Sequence, residues 1–337
     1  MNRLGVAGLC FVLSASFGSS PSFELSAQET YDPLLIVEKA EIQSIELSVK
    51  DASRGREIPV RVYLPTKTQP APVVLYSHGL GGNRDGSRFL GNHLAGRGYL
   101  AVYIQHPGSD DSIWKNARPL TRMTEMKKAA SAENLKLRCE DVKAVLDQLE
   151  TWNADAAHSL VNRIDMKRVG MCGHSFGAHT TQAVAGQSFP LVGQRFVDSR
   201  IDAAIAYSPS SPPVGDKRAT FGKVNVPWML MTGTQDVSPI GGQSVESRMA
   251  VYPNLTEAID KYEIVLFGAE HSVFTDVGTR SGDRGAVQNH HRSILALTTA
   301  FWDSYLNGDD KAKDWLTSDK VKSVIDAKDR WQLSLAK

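Results

Sequence analysis

Val169-Gly170-Met171-Cys172-Gly173-His174-Ser175-Phe176-Gly177-Ala178-His179 decides how the rest of the chain is read. A short apolar run ends in Gly-His-Ser-Phe-Gly, and small residues able to start a helix follow. The spacing G-x-S-x-G is that of a nucleophile elbow, a sharp strand-to-helix turn with the serine at its tip. A serine hydroxyl is a poor nucleophile at neutral pH and needs both a base and a position clear of the sheet. The turn supplies the position. It strains the serine backbone and leaves room only for glycine two residues away on either side. In a chain with 27 glycines the five residues alone carry little. Their setting between a strand pattern and a helix pattern carries more.

Toward the C-terminus, Pro227-Trp228-Met229-Leu230-Met231-Thr232 reads as a strand leading into Gly233-Thr234-Gln235-Asp236. Tyr262-Glu263-Ile264-Val265-Leu266-Phe267 reads as the last core strand, with Gly268-Ala269-Glu270-His271 coming off its end. Ser175, Asp236 and His271 thus stand on three strand-end loops, in the chain order that accompanies a genuine elbow. A mostly parallel sheet gathers the C-terminal ends of its strands on one rim, where such residues can meet. In that arrangement Ser175 attacks a carbonyl, His271 takes its proton, and Asp236 fixes the imidazole tautomer and stabilises its charged form. Glu270, next to His271, is the rival for the acid.

Toward the N-terminus, Pro72-Val73-Val74-Leu75-Tyr76-Ser77 is a nearly unbroken apolar strand, as expected where helices cover both faces of a sheet. His78-Gly79-Leu80-Gly81-Gly82-Asn83 follows it. A glycine-rich loop at that place is either an ordinary turn or a cradle of backbone N–H groups. In the second reading the N–H groups of Leu80 and Phe176 form the oxyanion hole. Residues 98–104 are the next buried strand, and His106-Pro107-Gly108-Ser109-Asp110-Asp111 is a loop at the same sheet end. Residues 113–136 form a polar, partly helical insertion lying over or beside the site, and residues 106–111 lie with it at the rim. Together they are expected to restrict the acyl pocket.

The other elements follow from periodicity. Residues 42–49 and 58–64 alternate as an edge hairpin. Residues 135–152 and 289–306 have helical spacing, and residues 201–207 form another strand. Asp165 and Arg168 are read as flanking a turn before a strand at 169–172, and the tail from Asp309 as a peripheral helix. His106, His174 and Tyr207 are candidate pocket residues, although His174 is expected to pack beside the elbow. His78 is expected to stabilise its own loop. His290 and His291 adjoin but lack a third ligand at short spacing, so no metal or cofactor is expected. Strands alternating with helices predict an α/β domain with a mostly parallel sheet and helices on both faces.

The chain has 337 residues, 42% of them hydrophobic, enough for one large core. With 38 Lys+Arg against 37 Asp+Glu, its formal charge of +1 gives no reason to expect nucleic acid as a partner. Arg3, an apolar run over residues 4–17 and Leu25-Ser26-Ala27 read as a secretory signal, residues 1–27. The run is too short and interrupted for stable membrane insertion. The expectation is a secreted or periplasmic domain over residues 28–337, with an insertion around 109–136. Cys10 leaves with the leader. Cys172 is expected as a buried thiol, and a bridge to Cys139 is not expected.

On these motifs the chain resembles the α/β-hydrolase superfamily over residues 58–306. Within it, Tyr76-Ser77-His78-Gly79-Leu80-Gly81-Gly82 is similar to the Ser-His-Gly-Leu-Gly loop of the platelet-activating factor acetylhydrolases. Gly98-Tyr99-Leu100-Ala101-Val102, Gln105-His106 and Gly173-His174-Ser175-Phe176-Gly177 resemble the same group. The resemblance implies metal-free hydrolysis of short or oxidised acyl esters at the sn-2 position of phospholipids. Predicted dienelactone-hydrolase-like proteins also resemble the chain, but dienelactone hydrolases proper use a cysteine, which Ser175 excludes. Two departures stand out. Where the plasma-type acetylhydrolases carry the triad acid, this chain has Ala206-Tyr207-Ser208-Pro209. Cutinase-like polyester hydrolases share the Ser-Asp-His order, yet their oxyanion loop is of another kind. The expected function is a serine esterase cleaving short to medium acyl esters through an acyl-enzyme. Amide, thioester, phospholipid or polyester hydrolysis on the same fold remains open, as does a non-catalytic binding role.

Overall fold

Ala71–Ser77 is buried at every position, which an unbroken apolar strand requires when both its faces are covered. Around it the computed structural model describes Met1 and residues 30–36, 41–238, 240–276 and 284–337. The expected leader, apart from Met1, lies outside the described residues. The strands are β1 (Gln43–Asp51), β2 (Arg56–Leu64), β3 (Ala71–Ser77), β4 (Leu100–Ile104), β5 (Ile164–His174), β6 (Ala203–Tyr207), β7 (Trp228–Gln235), β8 (Lys261–Glu270) and β9 (Arg330–Ser334). The helices are α1 (Arg88–Gly96), α2 (Ser112–Lys115), α3 (Arg122–Ala129), α4 (Ala132–Ala154), α5 (Phe176–Val184), α6 (Lys217–Phe221), α7 (Val245–Met249), α8 (Arg284–Tyr305) and α9 (Asp310–Thr317).

The sheet order is β1-β2-β4-β3-β5-β6-β7-β8-β9. Pairing from β4 through β8 is parallel, and the two ends of the sheet are antiparallel. Side chains alternate between two cores. Val73 and Leu75 face the layer containing Leu135, Val142 and Val145 of α4, whereas Val74 and Tyr76 face α1 and α8. Each fully buried aliphatic side chain of this kind contributes about 1.5–3 kcal/mol relative to exposure. This is the α/β-hydrolase fold, with the C-terminal ends of β3 to β8 forming one rim.

Two local readings change. β5 begins at Ile164, so Asp165 and Arg168 lie within the strand and not in a turn before it. The pairing with β3 steps from Asp165 to Val169, and residues 166–168 bulge out, closed by an Arg168–Asp165 ion pair at 2.7 Å. The C-terminal tail contains α9, but its last segment adds β9 to the sheet edge beside β8. The insertion is made of α2, α3 and the first turns of α4. Ser131 caps α4 by accepting a hydrogen bond from the Asn134 N–H at 3.1 Å. Cys139 and Cys172 are both free and buried. Among the described residues no helix is long and apolar enough to cross a membrane.

Candidate active site

Ser175 sits between β5 and α5 with φ 57° and ψ −112°, a conformation that side-chain-bearing residues avoid. Its neighbours show why glycines flank it. A methyl group on Gly177 would lie 1.8 Å from the Ser77 carbonyl oxygen, and one on Gly173 would lie 2.4 Å from the Gly177 carbonyl oxygen. The elbow therefore presses directly against the end of β3. The Ser175 N–H donates to the Tyr207 carbonyl at 2.9 Å, and its own carbonyl accepts the first turn of α5 from His179 at 3.1 Å. Strain at the serine is held by the sheet on one side and the helix on the other.

The three loops converge. His271 Nε2 is 2.9 Å from Ser175 Oγ, and His271 Nδ1 is 2.6 Å from Asp236 Oδ1. Asp236 is fully buried, while one-fifth of the His271 side chain is exposed. The second carboxylate oxygen, Oδ2, accepts hydrogen bonds from Ser208 Oγ at 2.6 Å and Thr232 Oγ1 at 2.8 Å. Ser208, within the 206–209 stretch that lacks a carboxylate, instead hydrogen-bonds the carboxylate of Asp236.

Arg248 was not foreseen. It is buried in α7 and donates through Nε to the Asp236 carbonyl at 2.9 Å and through Nη1 to the Ser208 and Pro209 carbonyls at 2.8 and 3.0 Å. Its Nε is also 3.1 Å from Asp236 Oδ1, and its Nη2 is 3.3 Å from His271 Nδ1. One side chain thus ties together the ends of β6 and β7 and the imidazole. In sequence it is one of two charged residues in the short segment Val245-Glu246-Ser247-Arg248-Met249, which ordinarily means a solvated face.

Burial alone would raise the Asp236 carboxyl, but the His271 hydrogen bond, the Arg248 charge and the Ser208 hydroxyl outweigh it and hold it at about 2. A carboxylate depressed in the folded state contributes stability that is complete above its unfolded value, about 4, and is lost as pH falls through the folded one. The melting-temperature gap between wild type and Asp236→Asn is therefore expected to narrow as pH drops from about 4 to about 2. Parallel thermal melts across that range check this; a constant gap would mean that the carboxylate charge does not support the fold.

Phe176 is the first residue of α5, so its N–H points off the helix N-terminus without an intrahelical acceptor. Across from it, the Gly81 N–H donates to the Ser109 carbonyl at 2.9 Å and the Gly82 N–H to the Gly79 carbonyl at 3.0 Å, fixing the loop on either side of Leu80. Leu80, Phe176, Ser175 and His271 all line one cleft of about 1750 Å³. Its walls include Trp114, Met126, Phe189, Phe196 and Ile240. An ordinary ligand pocket holds about 300–1,000 Å³. The insertion does reach the cleft, and Trp114 Nε1 donates to the Gly81 carbonyl at 2.8 Å. Trp114 and Met126 of the insertion thus form part of the wall of this mostly apolar cleft.

Two of the candidate pocket residues are not at the cleft. His106 is fully buried between Ser77 and Asp141, with Nε2 2.9 Å from Ser77 Oγ and Nδ1 3.0 Å from Asp141 Oδ2. Tyr207 points into the α8 side of the core, its hydroxyl 2.9 Å from Thr298 Oγ1. β6 alternates like its neighbours, so Tyr207 shares a face with Ala203 and Ile205. His174 borders the cleft but is almost entirely buried, and its Nε2 is 2.9 Å from the His271 carbonyl, supporting the backbone of the His271 loop. His290 Nε2 and His291 Nε2 lie 3.0 and 2.9 Å from the Phe267 and Val273 carbonyls, respectively.

Among curated proteins, none matches the chain. A serine, an imidazole and a carboxylate in hydrogen-bonded series over an open apolar cleft still describe many lineages, and the sequence match narrows them: residues 59–328 match the PETase family, described as PET hydrolase-like, so the protein belongs to that family of serine hydrolases acting on ester bonds.

Proposed function

We propose that Ser175 is the nucleophile, His271 the general base and acid, and Asp236 the residue that orients and charge-stabilises the imidazole. The observation that carries this reading is the unbroken series from Ser175 Oγ through His271 to Asp236, with both links at hydrogen-bond distance. In the acylation step Ser175 Oγ attacks the ester carbonyl while His271 Nε2 takes its proton. The tetrahedral oxyanion is met by the N–H groups of Leu80 and Phe176, and the alcohol leaves with the proton from His271. Water then repeats the sequence on the acyl-enzyme. A fluorophosphonate that labels Ser175, located by peptide mass spectrometry, tests the assignment; an active protein left unlabelled at Ser175 would overturn it.

The substrate we infer is an ester with bulky or repeated apolar groups, with short to medium acyl esters turned over as smaller probes. The cleft volume favours this over a small soluble ester alone. Polyester chains suit the family and the open cleft, and phospholipids carrying a short acyl group suit the Ser-His-Gly-Leu-Gly loop. A panel of p-nitrophenyl esters from acetate to palmitate, with an aromatic polyester film and a short-acyl phospholipid, separates these. Activity on the film above that on phospholipid supports the polyester reading, and the reverse ranking supports the lipid one. Rates confined to acetate would sink the bulky-substrate inference. We also retain residues 1–27 as a secretory leader, tested by N-terminal sequencing of protein exported from a bacterial host; an intact Met1 on the exported protein would refute it.

A further inference from the structure

Beneath the glycine loop lies a buried charged network that the catalytic series does not use. Asp141, on α4, is 3.0 Å from His106 Nδ1 and accepts Arg56 Nε at 2.7 Å and Arg54 Nη1 at 3.0 Å. The backbone N–H of His106 donates to His78 Nε2 at 3.0 Å. That bond requires an unprotonated Nε2, so a neutral His78 carries its proton on Nδ1. Burial, followed by the Arg138 and His106 charges, pushes the His78 imidazole well below its ordinary value, which keeps it neutral.

With its proton on Nδ1, His78 donates to the Gly79 carbonyl at 2.6 Å, while Arg138 Nη2 lies 3.1 Å from the same nitrogen. This carbonyl is the other end of the peptide unit whose N–H belongs to Leu80. The same oxygen also accepts the Gly82 N–H at 3.0 Å. A peptide whose carbonyl takes two hydrogen bonds is fixed in orientation, and its N–H becomes a stronger donor through polarisation along the chain. Arg138, one turn before Asp141 on α4, completes the arrangement. It is fully buried, donates through Nη2 to the His78 carbonyl, and places its guanidinium carbon 4.6 Å from the Phe176 ring centroid. Among the described residues, its Nε and Nη1 find no hydrogen-bond partner. The guanidinium therefore touches both sides of the candidate oxyanion hole, the glycine loop and Phe176, while its charge is only partly neutralised locally.

We propose that His78 and Arg138 are positioning residues of the oxyanion hole, His78 aiming and polarising the Gly79–Leu80 peptide and Arg138 fastening that loop to Phe176. The proposal rests on the reading of Ser175 as nucleophile and of the Leu80 and Phe176 N–H groups as the hole. It predicts that transition-state stabilisation falls while ground-state binding does not. Losing a direct oxyanion donor reduces kcat by about 10²–10³-fold, so losing its support should reduce kcat by roughly 10–100-fold. KM should stay within about threefold, since the loss falls on the transition state alone.

The experiment compares His78→Leu, His78→Asn, His78→Gln, Arg138→Met and Arg138→Lys in the full chain. It measures kcat, KM, melting temperature, Ser175 labelling by a fluorophosphonate, and inhibition by an alkylboronic acid as tetrahedral mimic. Asparagine presents an N–H near the place of Nδ1, whereas glutamine presents it near Nε2. His78→Asn is therefore expected to keep at least tenfold more kcat than His78→Gln, and Arg138→Lys more than Arg138→Met. Boronate affinity should fall in step with kcat/KM. If His78→Leu and Arg138→Met fail to fold, the His78→Asn and His78→Gln ranking decides alone. Folded variants with unchanged kcat, a reversed Asn–Gln ranking, or kcat losses without loss of boronate affinity overturn the proposal. Failure of the wild-type protein to label at Ser175 would instead overturn the underlying site reading.

Discussion

Ser175→Ala is expected to lower kcat by about a millionfold while leaving the fold in place. The proposed nucleophile holds a strained backbone, and alanine inherits that strain unchanged because any L side chain meets it. What the substitution removes is one oxygen, 2.9 Å from His271 Nε2. His271 is partly exposed on the cleft side, so water can take the place of the lost partner. The backbone bonds of Ser175 to Tyr207 and His179 do not involve the hydroxyl and should persist. Melting temperature is thus expected to change by only a few degrees, roughly the effect of 1 kcal/mol or less in a domain of this size. A residual rate roughly a thousandfold above water can survive through substrate binding and the oxyanion hole. The check is steady-state hydrolysis of a p-nitrophenyl ester together with circular dichroism. Folded Ser175→Ala protein with near-wild-type turnover would end the assignment of Ser175 as nucleophile.

The sequence disclosed the rim because its chemistry is punctuated. Each of Ser175, Asp236 and His271 stands at the C-terminal end of a largely apolar strand, and a parallel sheet turns that local rule into a common location. β3, β4, β6 and β7 were equally legible, since strands buried on both faces admit few polar residues. Legibility failed where position depends on partners rather than on pattern. His106 and Tyr207 lie beside strand ends at the rim, but a residue's face is set by strand register, and both turn inward. The β5 bulge at residues 166–168 has polar composition and reads as a turn, although the ladder continues around it. Arg248, Arg138 and Asp141 are charged residues in helices, and only tertiary structure distinguishes a buried network from a solvated face. The edge strand β9 does alternate, with Trp331 and Leu333 against the core, but five mostly half-buried residues at the end of a charged tail are too short a run to stand out in sequence.

Asp236→Asn is expected to lower kcat by about 10⁴, and Glu270→Gln to change it by less than about tenfold. Asp236 Oδ1 occupies the 2.6 Å position at His271 Nδ1, and Oδ2 is held by Ser208 and Thr232. These partners fix the carboxylate plane, so it has one way to face the imidazole. An asparagine in the same place can turn its amide N–H toward Nδ1, leaving the proton on Nε2, the tautomer that cannot accept from serine. It also removes the negative charge that offsets the imidazolium formed during attack. Arg248 sharpens both effects, because its buried guanidinium remains beside the imidazole with no neighbouring carboxylate to balance it. Breaking a buried ion pair typically destabilises by about 3–5 kcal/mol, but here Arg248 keeps its bonds to the Asp236, Ser208 and Pro209 carbonyls. Those retained donors favour a folded variant whose kinetics can be read, and melts establish that before any rate is compared. Glu270 ends β8 in register with Gln235, one residue before His271, so its backbone leads into the imidazole loop while Nδ1 already faces another acid. Measurement of kcat for both folded variants on one ester decides between them. A large loss in Glu270→Gln beside a small one in Asp236→Asn would move the acid to Glu270, while Ser175 and His271 kept their places.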